Sequence, residues 1–142
     1  MSNDHCESFK LRLQLEGINT EKYERLGQLI CVTAEETLGK FMRDDLIDED
    51  LFRIAVGSLI EKVRGSVSNG HSGKVRLFGE MVSQLRGTNL KATTRLEELW
   101  NQVIEKHSVS LLCTYALEGE DDRIHQGLLD LHSQNIEREP VV

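Results

Sequence analysis

Lys74-Val75-Arg76-Leu77-Phe78-Gly79-Glu80-Met81-Val82 is a β-branched and apolar run that stops at a glycine and then presents a carboxylate. The run predicts a buried strand over residues 75–78, with Arg76 on the face opposite Val75 and Leu77 and paired structurally between sheet and helix. Glu80 then falls at the carboxyl end of that strand, the side of an open α/β sheet on which ligands bind. Gly79 beside it has no side chain, so a ligand or a backbone can approach closely. Residues 81–85 predict a short helical turn, for which Glu80 also serves as an N-terminal acid.

Working outward, residues 65–73 are rich in Gly, Ser, Asn and His and read as a solvated loop feeding the strand. Before the loop, Asp48, Glu49 and Asp50 supply the acidic first turn of a long helix. Its apolar positions Phe52, Ala55, Val56, Leu59, Ile60 and Val63 recur at helical spacing, and Lys62, Arg64 and Gly65 close it. Earlier still, Leu26-Gly27-Gln28-Leu29-Ile30-Cys31-Val32 is a short apolar run after a glycine. Thr33 and Glu36 follow in capping-box spacing, so the run predicts a strand handing over to a helix that carries Leu38, Phe41 and Met42 inward.

After the central run, Thr88 or Asn89 caps a helix presenting Ala92, Leu96, Leu99, Trp100, Val103 and Ile104 on one face. Trp100 completes that face and, with Asn101, anchors the helix. A third strand is predicted over residues 109–115. The acidic residues Glu118, Glu120, Asp121 and Asp122 start a last helix carrying Ile124, Leu128, Leu129 and Leu131, with a frayed tail from Glu137. Strands alternating with long helices predict an α/β fold, a parallel sheet of about three strands flanked by helices and joined by right-handed crossovers. Near the start, Phe9, Leu11, Leu13 and Leu15 alternate with Lys10, Arg12, Gln14 and Glu16, which taken alone is a half-buried strand.

The central run, together with Leu96-Glu97-Glu98-Leu99-Trp100-Asn101 and Ser110-Leu111-Leu112-Cys113-Thr114-Tyr115, resembles the MEDS domain, the sensory module of methanogen and methylotroph regulators. The resemblance extends from about Leu11 to about Ile136 and includes Ala34-Glu35-Glu36-Thr37-Leu38, Phe41-Met42 and His132-Ser133. Ala116 stands where the family usually has proline after the tyrosine. The resemblance implies the C-terminal part of a RecA/KaiC-like fold, with a helix rather than a strand before Glu16-Gly17-Ile18-Asn19. The family's opening strand, helix and second strand have no counterpart, so the resemblance implies a chain that starts partway into a single domain. A parallel sheet short of strands leaves an unpaired edge, which predicts self-association or a protein partner.

Composition narrows the function. The chain has 142 residues, 39% hydrophobic and 29% charged, which suits one domain with a real core. A net charge of −7 and the lack of any Lys/Arg-rich run disfavour direct nucleic-acid binding. No span reaches membrane length, and the N-terminus lacks the basic and apolar regions of a signal peptide. Cys6, Cys31 and Cys113 cannot all pair within the chain, so buried free thiols in a reducing cytoplasm are expected.

Among candidate sites, Glu35, Glu80 and Tyr115 fall near the carboxyl ends of the predicted strands and converge on one rim if those strands are neighbours. They form the expected ligand site, with Glu80 orienting a polar head group. The other arrangements point to no chemistry. Cys113 lies in an apolar strand that raises a thiol pKa and blocks access, and His107 at a helix end is ordinarily structural. His125 and His132 lack a second pair of metal ligands, and residues 44–50 lack the mid-loop glycine of an EF-hand.

Residues 68–75 end in Gly-Lys but have Ser68 for the first glycine of a P-loop and Val75 for the magnesium-binding hydroxyl. They also precede a strand instead of following one. The sequence therefore predicts a non-catalytic sensory or ligand-recognition module without a cofactor. The resemblance implies a response to small organic, hydrocarbon-derived compounds. An interaction subunit, a truncated remnant and a divergent nucleotide-binding protein are the alternatives.

Overall fold

The computed structural model describes residues 3–67, 74–86, 89–114 and 130–132. The order is α1 (Asn3–Leu15), α2 (Thr20–Arg25), α3 (Ala34–Phe41), β1 (Met42–Arg43), β2 (Leu46–Ile47), α4 (Glu49–Gly65), β3 (Arg76–Gly79), α5 (Met81–Arg86), α6 (Leu90–His107) and β4 (Ser110–Cys113). The central run forms β3, which pairs in parallel with β4 in the register Arg76↔Ser110 to Gly79↔Cys113. The crossover between them, α5 and α6, makes this a βαβ unit, as strands separated by a long helix require.

Helix starts follow their capping residues. Thr33 accepts from the Glu36 amide at 3.1 Å, Asp48 from Leu51 at 3.0 Å and Asn89 from Ala92 at 3.0 Å. Each satisfies a backbone donor that the first helical turn leaves unpaired. Asn89, the second of the two expected caps, is the one used.

The core lies where α3, α4 and α6 meet. Phe41, Phe52 and Trp100 stack edge to face in series, with centroids 5.1 and 5.3 Å apart and planes at 83° and 86°. Phe52, Val56 and Ile60 of α4 and Leu96, Leu99, Trp100 and Val103 of α6 are buried around them, as the helical spacing predicts. At the surface Arg95 ties the two helices together, reaching Glu49 at 2.6 Å and Glu98 at 2.6 Å.

Two expectations need correction. The apolar residues 29–32 are not a strand, and among the described residues β3 pairs with β4 alone, so the sheet has two parallel strands instead of three. The cause lies in Gly27, which ends a helix and does not lead into a strand. At φ +72° it lets the Gln28 amide reach the Tyr23 carbonyl at 2.8 Å while its own amide reaches Glu24 at 3.0 Å. That is the Schellman closure of α2, a helix the sequence reading did not contain. Residues 28–30 then leave the helix as half-buried coil, their apolar groups covered without a ladder.

Residues 9–15 are helical, against the strand that their alternation suggests and in line with the resemblance. Gly17 closes α1 in the same way, at φ +84° with Ile18 donating to Leu13 at 3.0 Å. Leu11 and Leu15, four residues apart, are 58% and 73% exposed, so two leucines of the apparent stripe face water. The second correction is the hairpin β1/β2, turned by Asp44 at φ +53°, which takes Met42 out of the helix expected to carry it inward.

No helix among the described residues is long and apolar enough to cross a membrane. Residues 68–73, His125 and the last predicted helix up to Leu129 lie outside the described residues, while Leu131, expected on that helix, sits in a turn.

Candidate functional site

A cavity of about 170 Å³ runs along the flank of β3. Its walls include five consecutive residues, Val75 to Gly79, whose side chains alternate between the two sheet faces. The cavity therefore runs the length of β3, and Leu111 of β4 lines it too. The opposite wall is Gln28, Leu29, Ile30, Val32 and Thr33, the segment expected to be a strand. Val56, Leu59 and Val63 of α4 form the floor, with Trp100 and Leu111 behind.

Residues 28–33 line the space beside β3 without joining its ladder. The lining is mostly apolar, with Gln28, Thr33, Thr37 and Arg76 as its polar side chains and the β3 edge as a source of backbone donors and acceptors. Arg76 is exposed and lines this space instead of lying under a helix.

Of the three residues expected to form the site, the structure describes Glu35 and Glu80. Glu80 does follow β3 at its carboxyl end, next to Gly79 at the cavity, but its side chain is only 13% exposed and its Oε2 lies 2.6 Å from Nδ1 of His5. That contact fixes α1 over the strand end, and Phe9 of the same helix stacks on Phe78 with centroids 5.6 Å apart. Glu80 thus contacts α1 at the end of β3. Glu35 is exposed in the first turn of α3, one residue beyond the cavity-lining Ala34. Tyr115 lies outside the described residues. Neither Glu35 nor Glu80 lines the cavity.

His107, weighed with Cys113 as a catalytic pair, belongs elsewhere. Its ring lies against Gly57 and its Nδ1 is 3.5 Å from Glu61, both on α4. Cys31 sits beside Cys6, whose thiol approaches the Val32 carbonyl at 3.9 Å. Burial first, and Cys6 second, push the Cys31 thiol up to about 11.

Glu97 was missed as a buried group. It is 2% exposed on the inner face of α6, 3.4 Å from Nε2 of His132. The signal was present in the spacing, since Thr93, Glu97 and Trp100 fall on one helical stripe.

The described residues define a mixed α/β fold with a small parallel two-stranded sheet and helices. The family is particular: the MEthanogen/methylotroph, DcmR Sensory domain, MEDS, matches residues 1–133, and the chain belongs to it. No curated protein and no solved structure matches the chain.

Proposed function

We propose that the chain is a non-catalytic sensory module that recognises a small organic, hydrocarbon-derived molecule in the cavity beside β3. Membership of a sensory family supports the class of function. The observation that carries the ligand class is the cavity itself: about 170 Å³, walled mainly by Leu, Ile, Val, Met and aromatic side chains. A dry apolar cavity of about 150 Å³ accepts a benzene-sized molecule. The polar groups at its rim, Thr33 and Arg76, suit a molecule with a single polar end.

The βαβ unit β3–α5–α6–β4 is compatible with descent from a RecA/KaiC-like core. Recognition would pass outward through the walls. Residues 28–33 connect α2 to α3, so filling the cavity bears directly on how those helices sit. The test is binding of benzene and short-chain alcohols, followed by methyl NMR and by melting temperature. Shifts confined to Val56, Val63 and Leu77, with a rise in melting temperature that Val63→Phe removes, support the reading. Saturating probe without such shifts overturns it.

A further inference from the structure

We propose that Glu97, Cys113 and His132 form a three-ligand site for a zinc-class divalent metal ion. A carboxylate oxygen of Glu97, the sulfur of Cys113 and an imidazole nitrogen of His132 all lie within 4.8 Å of one another. They come from three separate parts of the fold: the middle of α6, the end of β4, and the turn at residues 130–132.

The geometry suits coordination. Two ligands each about 2.0 Å from one tetrahedral ion lie about 3.3 Å apart. Glu97 Oε2 and His132 Nε2 are 3.4 Å apart. The widest separation needs to close by roughly 1 Å to reach the spacing of a sulfur and a nitrogen or oxygen on zinc.

The turn is also held in register. Asn101, one helical turn along α6 from Glu97, donates from Nδ2 to the Leu131 carbonyl at 3.0 Å. Glu97 and Asn101 thus grip adjacent residues of the same turn from one face of the helix.

Charge and ligand type point the same way. A carboxylate buried to 2% exposure is stabilised by positive charge close to it. A divalent ion held by the Glu97 carboxylate, a Cys113 thiolate and a neutral His132 leaves the site without net charge. One sulfur, one imidazole nitrogen and one carboxylate oxygen match a borderline metal such as zinc and not the all-oxygen shells of calcium or magnesium. Three protein ligands leave a fourth position for water or an added group. Cys113 is two residues along β4 from Leu111 and so shares its face, which places the site next to the back wall of the cavity.

The experiment uses the full chain, reduced and freed of metal by a chelator, then titrated with cobalt(II). The expected result is one ion per chain, with intense visible bands of four-coordinate cobalt and a sulfur-to-cobalt charge-transfer band, all displaced by zinc. Cys113→Ser should abolish the charge-transfer band. His132→Ala, in a turn where folding is least at risk, should weaken binding by roughly 100-fold or more. Circular dichroism checks that each variant is folded.

A Cys6→Ser, Cys31→Ser double variant should keep the band. No charge-transfer band in the wild type overturns the site and leaves a hydrogen-bonded buried cluster. A band that disappears in the double variant, or undiminished binding in His132→Ala, overturns it as well.

Discussion

At the scale of single residues, Glu80 shows how a correct position leads to a different role. The glycine-acid pair after an apolar run located the end of β3, and the carboxylate is there. Its neighbour, His5, is 75 residues away in sequence, and nothing near Glu80 announces that contact. Removing the charge while keeping the shape should therefore loosen α1. Glu80→Gln is expected to lower stability by about 1 kcal/mol or less, as for a partly exposed ion pair. Hydrogen exchange should rise in residues 3–15 before it rises elsewhere, and an unchanged α1 would remove the docking role.

Cys31 makes a second prediction at this scale. With its pKa raised from 9.0 to about 11, the thiolate is scarcer than in a free cysteine by on the order of 100-fold at pH 8. Alkylation of Cys31 should be slow by that factor in the folded chain and ordinary in urea. The raised folded pKa also fixes a sign. The contribution to stability is complete below about 9 and is lost as pH rises towards 11, because the unfolded chain gives up the proton first. Urea midpoints across that alkaline window measure it, and Cys31→Ser should flatten the dependence.

Among the elements, those with a cap and a long helical stripe were legible. Thr33, Asp48 and Asn89 mark where α3, α4 and α6 begin, and Phe52, Val56 and Ile60 mark the face α4 buries. The short elements were not. α1 and α2 end in glycines that look the same in sequence as a glycine leading into a strand, and only the backbone closure at Gly17 and Gly27 tells them apart. The alternation at residues 9–15 is compatible with a helix because helix burial there is slight, with Phe9 held by Phe78 and Lys10 paired with Glu24 at 2.8 Å. Glu35 was read at the end of a strand, and the residues before it form no ladder.

The junction of α4 and α6 is where pH should act on an element pair. Arg95 foremost, then Arg53, holds the Glu49 carboxyl below its usual 4.5. A depressed folded pKa means the contribution is present above the unfolded value and disappears as pH falls through the folded one. Melting temperature should drop on acidification below about pH 4.5, with Glu49→Gln reducing the slope and Arg95→Gln doing the same. Both groups are at the surface, so added salt should weaken the effect.

For the molecule as a whole, the cavity and the stability of the core are in tension. A pocket of about 170 Å³ forgoes contacts that a filled core would make. A domain with no use for the space would gain by letting residues 28–33 join β3 or by carrying larger side chains on α4. Val63→Leu adds one methylene to the floor and should raise stability by about 1 kcal/mol. If the cavity serves recognition, the same substitution should weaken binding of a benzene-sized probe, so that stability and recognition move in opposite directions. A rise in melting temperature with probe binding unchanged would show that the space is a packing defect. A fall in melting temperature would show that the floor is already closely packed and that the opening lies nearer Thr33 and Arg76.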